Sequence, residues 1–110
     1  MSRFVTSNDN LGVLLEEQQM VLVYLSHQGC QVCKVLKPKV KEMAEVDFPL
    51  MAMVEVDTPL SSEFAAQLSV FAVPTILLFA AGKELQRFSR SFGMGELRSA
   101  IQRPYSMIYE

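Results

Sequence analysis

The sequence contains no tryptophan, only one histidine and only two cysteines in 110 residues. A closed zinc site takes four nitrogen or sulfur ligands, so His27, Cys30 and Cys33 cannot complete one by themselves. Two cysteines are also too few for the disulfide framework of a small secreted domain. A chain of this length can bury a core large enough to fold without such a framework. The scarcity of these residues therefore predicts no metal centre within a single chain.

The sequence also lacks an excess of charge of one sign and any long hydrophobic run. Its formal net charge is −2, which argues against nucleic acid as a partner. The longest apolar runs, at residues 20–25 and 76–81, are about six residues each, whereas a bilayer span needs about 20. The first ten residues lack the apolar centre of a signal peptide. We therefore expect a cytoplasmic protein without membrane contact, in a compartment where thiols are kept reduced.

Half of the residues are hydrophobic, and they recur with two different periods. Continuous apolar runs rich in β-branched and aromatic side chains predict strands that are buried on both faces. Apolar positions three and four residues apart predict helices. The predicted strands are residues 3–6, 20–26, 50–57, 75–80 and 85–91, and the predicted helices are residues 11–19, 28–46, 59–69 and 94–102.

The order of these elements, β-α-β-α-β-α-β-β-α, predicts an α/β fold with a central mixed sheet. Strands that alternate with helices form parallel sheets, and right-handed crossovers place the helices on both faces. A predicted hairpin turn at residues 81–84 adds an antiparallel edge strand. We expect one domain over residues 1–110, since this length suits a single domain.

Two prolines bear on the predicted helices. Pro38 lies inside the pattern of the second helix, where the missing backbone hydrogen bond should kink the helix. Pro104 follows the pattern of the last helix. It is expected to end that helix and to leave residues 104–110 as a C-terminal tail.

Cys30 and Cys33 follow a predicted buried strand and open a predicted helix. The first turn of a helix carries unpaired N–H groups and a partial positive charge, which favour the thiolate of Cys30 over its thiol. Residues three apart on a helix are neighbours, so Cys33 can reach Cys30. The pair therefore suggests thiol–disulfide exchange. Two alternatives stay open: two buried small residues, or a metal or cluster site shared by two copies of the chain.

His27 and Lys34 flank the cysteine pair. A hydrogen bond or a positive charge from His27 would lower the pKa of Cys30, although an exposed loop histidine is the plainer interpretation. Lys34 would support a thiolate if it turned toward the pair, and it otherwise points to solvent. Residues 34–41 carry four lysines and no acid, and we interpret these lysines as a solvated helix face.

Several motifs in the chain resemble those of the thioredoxin family. The C-x-x-C at residues 30–33 is followed directly by Lys34 and, five residues after the second cysteine, by Pro38. The remaining matching motifs are VEVD at 54–57, VPT at 73–75 and FAAGKEL at 79–85. The similarity covers residues 3–103, which is nearly the whole chain.

The resemblance implies a thioredoxin fold and a thiol–disulfide oxidoreductase that acts in electron transport and cell redox homeostasis. Its cofactor would be its own redox-active disulfide, with Cys30 as the nucleophile and Cys33 as the resolving thiol. The resemblance also implies a cis peptide bond before Pro74 and pairing of the preceding backbone with the substrate. The residues expected to contact substrates are Val73, Pro74, Gly29, Gln31 and Val32.

The partners implied by the resemblance are disulfide-containing proteins, together with a thioredoxin reductase or another thiol reductant. We expect the chain to be a monomer or a weak homodimer. A non-enzymatic thioredoxin-like interaction module, or a redox sensor with weak or no turnover, is the alternative, because fold does not fix function.

The chain departs from the family pattern around the cysteines, and these departures are the reason for considering the alternative beside the oxidoreductase. Gly29 stands where thioredoxins usually have tryptophan, and Gln31 and Val32 replace a Gly-Pro pair. Tyr24 occupies the position of a buried aspartate that often assists the second cysteine. Proton transfer at that cysteine is therefore left to water, to Tyr24 or to Glu55.

Overall fold

The structure, a computed structural model, describes residues 2–4, 18–26, 31–57, 73–89 and 92–109. The strands and helices in these ranges are β1 (Ser2–Phe4), β2 (Met20–Ser26), α1 (Gln31–Asp47), β3 (Ala52–Asp57), β4 (Thr75–Ala80), β5 (Lys83–Ser89) and α2 (Met94–Tyr109). The helices predicted at residues 11–19 and 59–69 lie outside the described residues. The predicted order of the other elements is confirmed.

The strands form one mixed sheet in the order β1-β3-β2-β4-β5. β1, β3 and β2 run parallel, and Tyr24 of β2 lies opposite Glu55 of β3. β4 runs antiparallel to β2, and β5 runs antiparallel to β4. The mixed sheet confirms the predicted fold class. β1 lies at one edge of the sheet and begins one residue before the predicted strand.

The direction of β4 corrects one expectation. The alternation of strands and helices predicts a parallel sheet in which only the last strand is antiparallel. In the structure β4 is itself antiparallel to β2, with Leu25 opposite Thr75. A strand buried on both faces shows the same continuous apolar run whichever way its neighbour runs, so the sequence pattern carries no information on direction.

The hairpin between β4 and β5 is tighter than the predicted turn over residues 81–84. Ala81 and Gly82 form it with positive φ angles of 53° and 80°, as a two-residue type I′ turn requires. Gly82 adopts this geometry without the steric cost of a Cβ atom. β5 consequently begins at Lys83, two residues before its predicted start.

One face of the sheet packs against both helices. The buried side chains of this layer include Met20, Leu22, Tyr24, Met53, Ile76, Leu78 and Phe88 from the sheet, Val40, Met43 and Ala44 from α1, and Leu97, Ile101 and Tyr105 from α2. The opposite face of the sheet carries a second buried apolar set: Val21, Val23, Leu25, Val54, Val56, Leu77 and Phe79. β2 is therefore buried on both faces, as its sequence predicts.

α2 continues through Pro104, so the expectation that this proline ends the helix is wrong. The helix spans Met94–Tyr109 and contains Pro104 in its interior, and residues 104–109 are therefore not a tail. α1 likewise continues through Pro38, while the kink predicted there stays a prediction. No helix in the described ranges is long and apolar enough to cross a membrane.

Two tyrosines anchor the turns of α2 that follow Pro104. The Tyr105 hydroxyl accepts a hydrogen bond from the backbone N–H of Leu50, and the Tyr109 hydroxyl accepts one from the N–H of Met20. The rings of Tyr105 and Tyr109 also lie in contact, with centroids 4.7 Å apart. These tertiary contacts offset the hydrogen bond and packing that the helix loses at its proline.

Candidate active site

The carboxyl end of β2, the start of α1 and the start of β4 lie at one edge of the sheet. β2 ends at Ser26, and α1 begins five residues later at Gln31. Because β4 runs antiparallel to β2 with Leu25 opposite Thr75, the residues that precede β4 reach the same edge. This edge therefore holds both Cys33 and the Val73–Pro74 segment.

Cys33 lies in the first turn of α1, at the start of a helix as predicted. It is only 3% exposed, and its sulfur is disulfide-bonded rather than a free thiol. No acidic side chain occupies this turn, so nothing within the turn offsets the partial positive charge of the helix end.

Several residues of the predicted site fall outside the described residues: His27, Gly29 and Cys30. Three further residues of the predicted site lie beside Cys33 on α1. Gln31 and Lys34 are exposed on either side of it, and Val32 precedes it in the helix.

The Val73–Pro74 peptide bond is cis, as the resemblance implies. Pro74 is buried and Val73 is half-buried. The hydroxyl of Thr75, directly after the proline, shares a hydrogen bond of 3.3 Å with the hydroxyl of Ser89 on β5. This contact joins the first residue of β4 to the last residue of β5.

Tyr24 connects β2 to the first turn of α1. Its fully buried side chain donates a hydrogen bond from the hydroxyl to the backbone carbonyl oxygen of Cys33, at 3.1 Å. Burial and, to a smaller extent, the negative charge of Glu55 raise the pKa of Tyr24 to about 12. The hydroxyl therefore keeps its proton throughout the range in which thiols ordinarily titrate.

Glu55 places a buried carboxylate on β3 beside Tyr24. The residue is 9% exposed. Its Oε2 atom lies 3.3 Å from the Nζ of Lys37, and its Oε1 atom lies 3.7 Å from the Nζ of Lys41. Within the described part of the chain, Oε1 is buried and has no hydrogen-bond partner.

The sequence singles out Glu55, but it does not predict its two cationic partners. Lys37 and Lys41, with side chains that are 39% and 42% exposed, lie on a partly solvated face as interpreted, but both also pair with Glu55, which was not predicted. Their spacing carries the signal that was missed, because they follow Cys33 by four and eight residues. Positions at this spacing lie on one face of a helix.

A metal site finds no support among the described residues. No group of three or more His, Cys, Asp or Glu side chains in those ranges is arranged to hold a metal ion.

The strand order and the mixed strand directions define an α/β protein of the thioredoxin fold, and comparison with known proteins gives its family. The family model described as Thioredoxin matches residues 3–103. The chain belongs to the thioredoxin family.

Individual relatives agree with this assignment. A thioredoxin of Chlamydia trachomatis is 34% identical over 83 residues, covering 76% of this chain and 78% of that protein. The thioredoxin-like protein YdfQ of Bacillus subtilis is 28% identical over 93 residues, with 84% and 82% of the two chains covered. The solved structure of Fasciola hepatica thioredoxin superimposes with a TM-score of 0.84 at 32% identity, over 92% of this chain and 97% of that one.

Family membership supports thiol–disulfide oxidoreductase chemistry in general. It also means that no separate cofactor is needed, because the redox-active disulfide of a thioredoxin is part of the protein itself.

Proposed function

We propose that this protein exchanges disulfides with protein substrates through Cys30 and Cys33. The observation that carries the proposal is the placement of Cys33, which is buried, disulfide-bonded and located in the first turn of α1. Cys30 is the only other cysteine in the chain, which supports it as the partner in that disulfide. Proteins of the family work with disulfide substrates.

The reaction balances in two exchange steps. The Cys30 thiolate attacks one sulfur of the substrate disulfide, the substrate S–S bond breaks, and one substrate thiolate leaves and takes a proton. The Cys33 thiolate then attacks the Cys30 sulfur, the mixed disulfide breaks, and the second substrate thiolate leaves. Two electrons pass to the substrate, and the protein keeps an internal disulfide.

The surroundings of Cys33 support this assignment of roles. A buried sulfur is poorly placed to meet a protein substrate, so Cys33 suits the resolving step and Cys30 the first attack. We assign substrate contact to Gly29, Gln31 and Val32 beside the cysteines and to the Val73–Pro74 segment. The exposure of Gln31 and the position of Val73 at the same sheet edge support this assignment.

Tuning of the thiols is assigned to His27 and Lys34. A positive charge on either side chain would stabilise a thiolate by Coulomb attraction. Lys34 is exposed and directly follows Cys33, so its contribution would weaken as the salt concentration rises. Tyr24 is poorly suited to exchange protons near neutral pH, because its pKa is about 12 and efficient proton transfer needs a pKa near the working pH.

The proposed setting is the cytoplasm, where a thiol reductant returns the protein to its dithiol form. A thioredoxin reductase is the natural reductant, since the family works with such enzymes. We propose that the chain acts as a monomer or a weak homodimer.

Reduction of insulin by dithiothreitol tests the proposal. The protein should accelerate insulin precipitation, and Cys30→Ser should abolish the acceleration. Cys33→Ser is the matched variant: it should retain the first attack and accumulate a mixed disulfide that a non-reducing gel detects. Full activity in Cys30→Ser would exclude the proposed mechanism.

A non-enzymatic interaction module or redox sensor is the second candidate. The observation that favours it is the buried phenol of Tyr24, which the structure has in place of a titratable carboxylate beside Cys33. The pH dependence of Cys30 alkylation separates the two candidates. A Cys30 thiol that stays unreactive until about pH 8.5, the pKa of a free cysteine, favours the interaction module. Reactivity well below that pH favours the oxidoreductase.

A further inference from the structure

The neighbouring strands β2 and β3 each direct one buried polar side chain at α1. Tyr24 and Glu55 are opposite each other in the strand pairing. Tyr24 donates a hydrogen bond to the carbonyl oxygen of Cys33, and Glu55 forms ion pairs with Lys37 and Lys41. We refer to Tyr24 and Glu55 together as the cross-strand pair.

The three residues of α1 that the cross-strand pair contacts lie on one stripe of the helix. Cys33, Lys37 and Lys41 are spaced by four residues, and side chains at this spacing point in the same direction. The two strands therefore hold the same face of α1 over its first three turns. The first of these contacts is made with Cys33 itself.

Stability alone does not account for a carboxylate at this position. A buried charge costs free energy unless it is paired and hydrogen-bonded. The Oε1 atom of Glu55 is buried without a hydrogen-bond partner in the described part of the chain, and Lys41 lies 3.7 Å from it. The neighbouring inward position of β3, Met53, is apolar and fully buried. A further apolar residue at position 55 would avoid this desolvation cost.

We propose that the cross-strand pair positions Cys33 for closure of the internal disulfide, so that Tyr24 and Glu55 are positioning residues of the oxidoreductase reaction. This inference rests on the proposed function. The resolving step is intramolecular, and its rate and equilibrium depend on how closely the two sulfurs are held in the reactive geometry. Fixing the backbone of Cys33 to β2, and the next two turns of α1 to β3, restricts the motion of the resolving sulfur.

The role predicts a specific pattern of effects on the two thiols. Loss of either contact lowers the effective concentration of Cys33 toward Cys30. The internal disulfide then becomes less stable relative to the dithiol, and the reduction potential becomes less negative. Mixed disulfides with substrate also persist longer, while the first attack by Cys30 keeps its rate.

Tyr24→Phe is the central test, because it removes the hydroxyl and keeps the ring. Equilibration of the protein with reduced and oxidised glutathione measures the effective concentration of the internal pair. We expect a three- to tenfold fall, the effect of a typical hydrogen bond, which corresponds to about 14–30 mV for a two-electron couple. The rate of Cys30 alkylation in the reduced protein should stay within about twofold of the parent's, since the hydrogen bond under test holds Cys33.

Tyr105→Phe is the matched control for this variant. It removes a tyrosine hydroxyl that is likewise hydrogen-bonded to the backbone, to the N–H of Leu50. Leu50 follows the far end of α1, and a helix of 17 residues is about 25 Å long. The control should therefore lose stability without shifting the potential, which separates positioning of Cys33 from a general loss of structure.

A second series tests the Glu55 contacts and covers the case in which Tyr24→Phe folds poorly. Glu55→Gln and Lys37→Met should shift the glutathione equilibrium in the same direction as Tyr24→Phe. Lys39→Met, at an exposed position of the same helix, should leave it unchanged. Because the two contacts restrain one rigid helix, the effects of Tyr24→Phe and Glu55→Gln should be less than additive in the double variant.

The outcomes distinguish this inference from the proposed function. Suppose that the parent protein forms an internal disulfide and reduces insulin, but that Glu55→Gln and every folded Tyr24 variant have the same reduction potential as the parent. The inference is then overturned, and the proposed function stands. An equal shift in Tyr105→Phe also overturns it. A parent protein without a measurable Cys30–Cys33 equilibrium overturns both.

Discussion

The hydroxyl oxygen of Tyr105 accepts a hydrogen bond of 3.2 Å from the backbone N–H of Leu50, and the Tyr105 ring packs edge-on against Phe48. Phe48 is fully buried, and its own backbone N–H bonds to the carbonyl oxygen of Ala44 near the end of α1. The penultimate turn of α2 is thus joined to the segment that leads from α1 into β3. This relationship explains why α2 persists beyond Pro104.

Removal of the Tyr105 hydroxyl should weaken the whole fold. Tyr105→Phe is expected to lower the free energy of unfolding by about 1 kcal/mol, because it removes one hydrogen bond and leaves the aromatic packing in place. Urea unfolding followed by circular dichroism measures the change. Met107→Ala, on a side chain that is 80% exposed, should change stability by less than about 0.5 kcal/mol. Equal effects of the two substitutions would contradict the anchoring role.

Pro104→Ala should stabilise the protein. A proline inside a helix costs about 3 kcal/mol relative to alanine, while its restriction of the unfolded chain returns about 1 kcal/mol. Because α2 already continues through this position, the substitution should raise the free energy of unfolding by about 2 kcal/mol. Arg103→Ala, at the exposed neighbouring position, is the control. A loss of stability in Pro104→Ala would mean that the proline ring makes contacts that outweigh its backbone cost.

The same region shows what the sequence could and could not predict of the fold. Periodicity located β2 and β4 to the residue, because continuous apolar runs have clear ends. It wrongly ended the last helix before Pro104. The rule that proline ends a helix considers only neighbouring residues, whereas the hydrogen bonds that hold the last turns of α2 come from Leu50 and Met20, which are distant in the sequence. Periodicity also left the direction of β4 undetermined, because burial on both faces looks alike in either direction.

The candidate site likewise has features that the sequence predicts and features that only the structure shows. The spacing of Cys30 and Cys33 and the V-P-T motif were visible in the sequence, and the cis bond before Pro74 is confirmed. The pairing of Glu55 with Lys37 and Lys41 was not predicted, because it depends on which helix face meets β3. Charge runs are usually solvated, so only the strand register and the helix orientation could identify these lysines as partners of a buried acid.

Glu84 on β5 should titrate below its ordinary range. Arg87 donates hydrogen bonds of 2.6 and 2.7 Å to its carboxylate, and these bonds lower the pKa of Glu84 from 4.5. The contribution of this pair to the free energy of unfolding is present above the pKa of Glu84 in the unfolded chain, and it is lost as the pH falls through the lower pKa of Glu84 in the folded protein. Because the pair lies at the surface, we expect less than about 1 kcal/mol from it.

Carboxyl titration by NMR measures the pKa of Glu84 directly. Arg87→Gln should raise that pKa toward 4.5, whereas Arg103→Gln on α2 should leave it unchanged. A pKa for Glu84 that is indifferent to Arg87→Gln would show that the bidentate contact does not persist in solution.

The buried phenol of Tyr24 predicts a loss of stability at alkaline pH. Its pKa is raised from 10.0 to about 12, by burial first and by the charge of Glu55 second. A group whose folded-state pKa is raised contributes stability that is complete below its unfolded-state pKa and disappears as the pH rises through the folded-state value. The free energy of unfolding should therefore fall from about pH 10 toward pH 12.

Urea unfolding of the parent and of Tyr24→Phe between pH 8 and 11.5 isolates this contribution. The difference between the two proteins should be constant below about pH 10 and should narrow above it, because phenylalanine has no proton to lose. Burial is the larger cause of the raised pKa of Tyr24, and Glu55→Gln removes only the smaller one, the charge. Ultraviolet titration of this variant should still show Tyr24 ionising at a lower pH than in the parent. If the free energies of unfolding of the two proteins instead change in parallel up to pH 11.5, the pKa of Tyr24 is not raised in the folded protein, and this prediction is wrong.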